Sequence, residues 1–124
     1  MEIEKIAQCL KALGDPKRLL LLNLILNGTQ CNCEFSDSLN LQPNLISHHL
    51  RILKEAGLVN IERDPRDSRW IYYTINQSAY KELHEYLNNF LDPDRIQPRQ
   101  PTCGPVNEVM SFAEKILPKA KQQI

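Results

Sequence analysis

Cys31 and Cys33, separated by Asn32, are the side chains of this sequence best suited to chemistry. Thiolates are soft donors and select soft ions over calcium or magnesium. Residues two apart on a regular helix point about 200° away from each other. The pair therefore converges on one ion only where the backbone is extended or frayed. The stop at Asn27-Gly28 and the apolar positions that follow put the pair at the start of a short helix, roughly Cys33 to Leu39. A helix start also offers a positive end, which is expected to lower a thiol pKa. Cys103, flanked by Thr102 and Gly104 in a proline-rich stretch, is the best-placed third thiol, able to reach the short helix of its own or a second subunit. Cys9 sits beside an apolar helical stripe and reads as a small core residue.

A second group of residues has the chemistry of DNA reading. Gln42, Asn44, Ser47, His48 and Arg51 fall on one polar side of a helix opened by Gln42-Pro43 and closed by Gly57. Amides offer a donor and an acceptor to adenine, and a guanidinium suits guanine or phosphate. Leu45, Ile46, Leu50, Leu53 and Ala56 are expected on the inner side. Arg63, Arg66 and Arg69 cluster around the tip of a hairpin and suit phosphate positioning, with Asp64 and Asp67 partly offsetting them.

Elements that position these residues follow from periodicity. Ile3, Ile6, Ala7, Leu10 and Leu13 predict a first amphipathic helix. Asp15-Pro16 caps a second, whose leucines through Leu26 predict a helix buried on all sides. The short cysteine helix, a turn at Asn40-Leu41 and the Gln42–Gly57 helix make a helix-turn-helix. From Leu58 to Ile75 the period falls to two around Asp64-Pro65-Arg66-Asp67-Ser68, which predicts a β-hairpin with Trp70, Tyr72 and Tyr73 mostly packing. Asn76 caps a long helix with Ala79, Tyr80, Leu83, Leu87, Phe90 and Leu91 on one face. Pro93, Pro98, Pro101 and Pro105 mark 92–105 as a linker without regular structure, and Val106, Val109, Met110, Ala113, Ile116 and Leu117 predict a last helix. The expected fold is mainly α with a small β-hairpin, a winged helix-turn-helix that dimerises through its terminal helices. Its parts are a core over 1–91, the linker 92–105 bearing Cys103, and a dimerisation helix and tail over 106–124. Two-fold pairing would present two recognition helices to successive turns of an operator duplex.

Composition bounds the reading. The chain has 124 residues, enough for one domain, and 42% are hydrophobic. Fifteen basic and fifteen acidic residues cancel, so any DNA affinity must come from a local basic face. No apolar run approaches the ~20 residues of a membrane span, and the N-terminus lacks a signal-peptide pattern; the expectation is a cytoplasmic protein with reduced thiols. No nucleotide-binding glycine loop, nucleophile elbow or His-Glu-x-x-His is present, and no constitutive cofactor is indicated. His84 stands alone on its helix.

Leu13-Gly14-Asp15-Pro16-Lys17-Arg18-Leu19, Ser47-His48-His49-Leu50-Arg51-Ile52-Leu53-Lys54-Glu55-Ala56-Gly57-Leu58-Val59 and Arg69-Trp70-Ile71-Tyr72-Tyr73 together resemble the ArsR/SmtB family of bacterial metal-sensing repressors. The likeness runs over about residues 5–91. It implies a homodimer that represses its own operon and leaves the operator when an inducer binds. Many arsenic- and cadmium/lead-responsive members carry a Cys-x-Cys at this helix, which implies Cys31 and Cys33 as ligands. One arsenic branch has a further cysteine three residues later, where this chain has Ser36. Pro43 stands where the family has a polar residue, which removes one base contact. The family's zinc-type site on the long penultimate helix is not matched.

The leading expectation is a repressor released by As(III) or Sb(III) at Cys31, Cys33 and Cys103. Alternatives are cadmium or lead as inducer, or a redox or sulfur-species switch through a disulfide from Cys103 to Cys31 or Cys33. A winged-helix protein-protein module and a small thiol-disulfide enzyme are the readings from other classes; no thioredoxin-like strand order surrounds the cysteines.

Overall fold

The computed structural model describes residues 1–99. The chain runs α1 (Ile3–Leu13), α2 (Pro16–Leu26), α3 (Asn32–Leu39), α4 (Pro43–Glu55), β1 (Val59–Arg63), β2 (Ile71–Ile75) and α5 (Gln77–Phe90). A single 3-10 turn, Pro93–Arg95, follows. The expected last helix and Cys103 lie outside the described residues. Contacts divide the chain into two units, the first being Met1–Tyr86 and the second beginning at Leu87.

Local chemistry sets the breaks. Asp15 Oδ1 accepts from the backbone N–H of Lys17 at 2.8 Å and Arg18 at 3.4 Å, occupying donors that α2 cannot use, while Pro16 has none to lose. Asn40 ends α3 in the left-handed region at φ 53°, a conformation asparagine tolerates better than most residues. Gly57 closes α4 at φ 82°, and Leu58 N–H returns to Leu53 O at 3.1 Å. Asn76 Oδ1 accepts from Ala79 N–H, capping α5.

The core of the first unit lies between α1, α2, α3, α4 and the hairpin. Cys9, Leu21, Phe35, Ile46, Leu50, Leu53 and Leu58 are fully buried. The Phe35 ring meets Tyr73 edge-on, with centroids 5.8 Å apart. β1 and β2 pair antiparallel, Ile61 opposite Tyr73, and Val59 and Tyr73 face the core.

Several expected faces are different in the structure. α2 is not buried on all sides: Leu21, Leu22 and Ile25 are inside, whereas Leu19 and Leu20 are about half exposed at 51% and 52%. α1 buries Ile6, Cys9 and Ala12 within the chain, while Ile3 and Leu10 of its apolar stripe face outward. Both helices carry apolar residues on two sides, and small Cys9 and Ala12 take the inner one because they allow close packing against neighbouring helices. On α5 Leu83 is buried within the chain, and Tyr80, Phe90 and the following Leu91 are exposed, a stripe that the sequence leaves for a second subunit to cover. Trp70 is also exposed, outside the strand that was expected to hold it. Residues 93–95, expected to be irregular, form the 3-10 turn, started by Asp92 accepting from Asp94 N–H. Among the described residues no helix is long and apolar enough to cross a membrane.

Candidate DNA-reading surface and thiol site

Helix α4 has two chemically distinct sides. Asn44, Ser47, His48 and Arg51, at the helical spacing of 3, 4 and 7, are all exposed, and Gln42 precedes them at the N-cap. Arg51 Nη2 lies 3.2 Å from His48 Nδ1, which holds the two side chains together. Ser47 Oγ accepts from Asn32 Nδ2 at 3.0 Å. On the inner side, Ile46, Leu50 and Leu53 pack into the core.

His49 shares that inner side at only 6% exposure, and sequence reasoning missed its role. Its place three residues after Ile46 and four before Leu53 was the available signal. Arg18 Nη1 sits 3.2 Å from His49 Nδ1, and Arg18 Nε donates to Ala12 O. A guanidinium can only donate, so Nδ1 accepts and the imidazole proton resides on Nε2. Burial holds the His49 pKa below its ordinary value; Arg18, His48 and Lys17 push the same way, against the attraction of Asp15. Arg18 thereby joins the end of α1, the start of α2 and the middle of α4.

The three hairpin arginines divide by what holds them. Arg69 forks onto Asp67, with Nη2–Oδ2 at 2.7 Å and Nε–Oδ1 at 2.9 Å. Arg63 Nη1 donates to Ser68 O at 2.8 Å. Among the described residues the Arg66 guanidinium has no hydrogen-bond or ion-pair partner. The tip itself is braced by Asp64, whose Oδ1 accepts from the N–H groups of Arg66 and Asp67 and whose Oδ2 accepts from the Tyr72 hydroxyl at 3.2 Å. Those backbone donors hold the Asp64 carboxyl below its usual range.

Cys31 and Cys33 lie at the start of α3. Cys31 is the extended N-cap, at φ −103° and ψ 148°, and Cys33 is inside the first turn and exposed. The required departure from regular helix thus falls between the two thiols. Glu34 Oε1 accepts from Cys31 N–H at 3.0 Å and Gln30 N–H at 3.4 Å, half of a capping box. The expected fall in thiol pKa does not occur at Cys31. Burial and the Glu34 carboxylate, with Cys33 adding to them, push that thiol above its ordinary value. The Glu three positions after Cys31 was a readable sign of this. Among the described residues no group of three or more His, Cys, Asp or Glu could hold a metal ion. Cys9 is fully buried, its thiol donating to Ala56 O at 3.4 Å, as expected of a core residue.

The thiol segment is paired to the hairpin. Cys31 forms an antiparallel bridge with Tyr72, and Tyr73 N–H donates to Gln30 O at 3.0 Å. A two-stranded ribbon alone is marginal in water, and this third short edge anchors its base to the residues that start α3.

A family model for bacterial regulatory proteins of the arsR family matches residues 15–60, from the start of α2 through the helix-turn-helix to the beginning of β1. An uncharacterized HTH-type transcriptional regulator of Methanocaldococcus jannaschii is 42% identical over 81 residues, covering 64% of this chain and 88% of the relative. This chain belongs to the arsR family. The arsenical resistance operon repressor of Bacillus subtilis is 33% identical over 82 residues, 65% of this chain and 75% of that protein. Among solved structures, HlyU from Vibrio cholerae is 29% identical with a TM-score of 0.57, covering 73% of this chain and 97% of its own. The protein is an ArsR-family transcriptional repressor that binds DNA through a winged helix-turn-helix.

Proposed function

We propose that this ArsR-family repressor is released from its operator when As(III) or Sb(III) is captured by Cys31 and Cys33, with Cys103 as third ligand. The reading is carried by one observation: Cys31 is bridged to Tyr72, so the thiol pair sits on the seam between hairpin and helix-turn-helix. Each thiol would give its proton to a hydroxide of arsenous acid, which leaves as water, without any change in oxidation state. Gathering thiols from an extended N-cap and a helical residue onto one atom twists the intervening backbone. That twist acts on both DNA-reading elements, and the inducer releases DNA only in so far as it prefers the twisted form. The B. subtilis relative named for arsenical resistance supports the choice of metalloid.

Burial and the Glu34 carboxylate push the Cys31 pKa up, which disfavours Cys31 as the attacking thiol of a disulfide switch. Thiolate is the attacking species in disulfide exchange, and a thiol held protonated attacks slowly. A tight ligand, by contrast, drives the deprotonation with its own binding energy. Gln42, Asn44, Ser47, His48 and Arg51 would meet the major groove, and Arg63, Arg66 and Arg69 the flanking backbone. The protein would act as a homodimer, with the outward Ile3, Leu10, Leu19 and Leu20 among the side chains a second copy covers.

Operator affinity measured by fluorescence anisotropy in reducing buffer, with and without arsenite, tests the reading. A marked loss of affinity that disappears in Cys31→Ser and Cys33→Ser is expected. Unchanged affinity with arsenite would overturn it. Cadmium and lead run in parallel decide among soft ions, and retention of release in Cys103→Ser would remove the third ligand.

A further inference from the structure

The residue between the two cysteines reaches the recognition helix directly. Asn32 is the first residue of α3, and its Nδ2 donates to Ser47 Oγ at 3.0 Å across a sequence separation of 15. The other half of the amide is unusual. Asn32 Oδ1 is shut off from solvent and accepts from nothing among the described residues. A buried, unpaired acceptor is a standing cost, and native structures carry few of them.

We propose that Asn32 is the positioning residue that ties the thiol pair to operator reading, by holding the Ser47 hydroxyl as an acceptor. A hydroxyl has one proton and two lone pairs. With a lone pair taken by Asn32 Nδ2, the Ser47 proton stays available to a base acceptor, the kind of contact that distinguishes an operator from other DNA. Ser47 is exposed on the α4 face that carries Asn44, His48 and Arg51, so that proton is on the side where DNA lies. If Asn32 turned its oxygen to Ser47, the hydroxyl would spend its proton inside the protein. Any ligand that draws Cys33 toward Cys31 rotates the backbone of Asn32, because this residue alone separates them. The rotation breaks the Nδ2 bond, frees the orphaned Oδ1 and removes the constraint on Ser47. The coupling half of this inference rests on the thiol reading above; the positioning half does not.

The test uses the full-length reduced protein, an operator duplex, a non-operator duplex and arsenite. Asn32→Ala is expected to weaken operator binding roughly three- to tenfold, the worth of one hydrogen bond, and to leave non-operator binding unchanged. The double variant Asn32→Ala, Ser47→Ala should bind the operator no more weakly than Ser47→Ala alone, since both remove one interaction. Asn32→Asp keeps a good helix-start residue but can only accept, so its ratio of operator to non-operator affinity should fall to that of Ser47→Ala. Thiol titration should show unchanged arsenite uptake by Asn32→Ala, with a smaller loss of operator affinity than the wild type shows. Additive single effects, or wild-type operator affinity in both Asn32 variants, would overturn the positioning role. Full arsenite release in Asn32→Ala would overturn the coupling. Failure of the thiol reading shows elsewhere, as arsenite release that survives Cys31→Ser and Cys33→Ser.

Discussion

Replacing Arg18 by Met keeps most of the aliphatic stem and removes every donor. Two hydrogen bonds are lost, one to His49 Nδ1 at 3.2 Å and one to Ala12 O. Each contributes about 0.5–1.5 kcal/mol, and a buried imidazole nitrogen left unpaired adds to the loss. A total of about 2–3 kcal/mol is expected at pH 7.5. With a urea slope of about 1–3 kcal/mol per molar, the midpoint falls by about 0.7–3 M. Acid behaviour gives a second, independent signature. His49 has a folded pKa below its unfolded one, chiefly through burial. Just below the unfolded value the unfolded chain takes up a proton that the folded chain refuses. The contribution is therefore fully present above about pH 6.5 and is lost as pH falls through the window between the two pKa values. Removing the Arg18 charge lets the folded pKa rise, so this acid loss should shrink in Arg18→Met. Urea titrations of both proteins at a series of pH values read both effects. A midpoint change below about 0.3 M, or an acid loss of undiminished size, would show that Arg18 and His49 do not form the joint described above.

Three other changes have defined outcomes. Gly57→Ala forces a Cβ at φ 82°, where the nearest atom is the yielding Lys5 Nζ at 3.3 Å, so backbone strain sets the cost at about 1–2 kcal/mol, read as a lowered thermal midpoint. Phe35→Ala empties a fully buried site against Tyr73 and should cost about 3–5 kcal/mol by chemical denaturation, a large share of the roughly 5–15 kcal/mol that holds a domain folded. Arg66→Ala should reduce the slope of log affinity against log salt by about 0.9, one phosphate contact, with the hairpin fold unchanged by circular dichroism.

Element order and caps were legible because they rest on local chemistry. Asp15-Pro16, Gly57 and Asn76 each satisfy or end a backbone pattern within a few residues. Faces were less legible. α1 and α2 are apolar on more than one side, and periodicity cannot tell Ile6 and Cys9 from Ile3 and Leu10 when only packing partners decide. The exposed polar face of α4 was predictable from its spacing, whereas the inward His49 depends on Arg18, 31 residues away. The two thiols were visible as a pair, but the direction of the Cys31 pKa was misjudged. The helix-start argument counted backbone charge and left out the Glu34 side chain and burial.

The pairing of Cys31 with Tyr72, and of Gln30 with Tyr73, is made by main-chain atoms. Substituting a side chain at position 31 or 33 leaves that connection in place, so under the function proposed above the input chemistry could be exchanged without rebuilding the output. A histidine, a carboxylate or a bulky aromatic introduced there inherits a ready mechanical link to the DNA-reading hairpin. On the proposed reading the seam would be a socket for sensing chemistry, open both to natural divergence and to the design of reporters for other soft or reactive ligands.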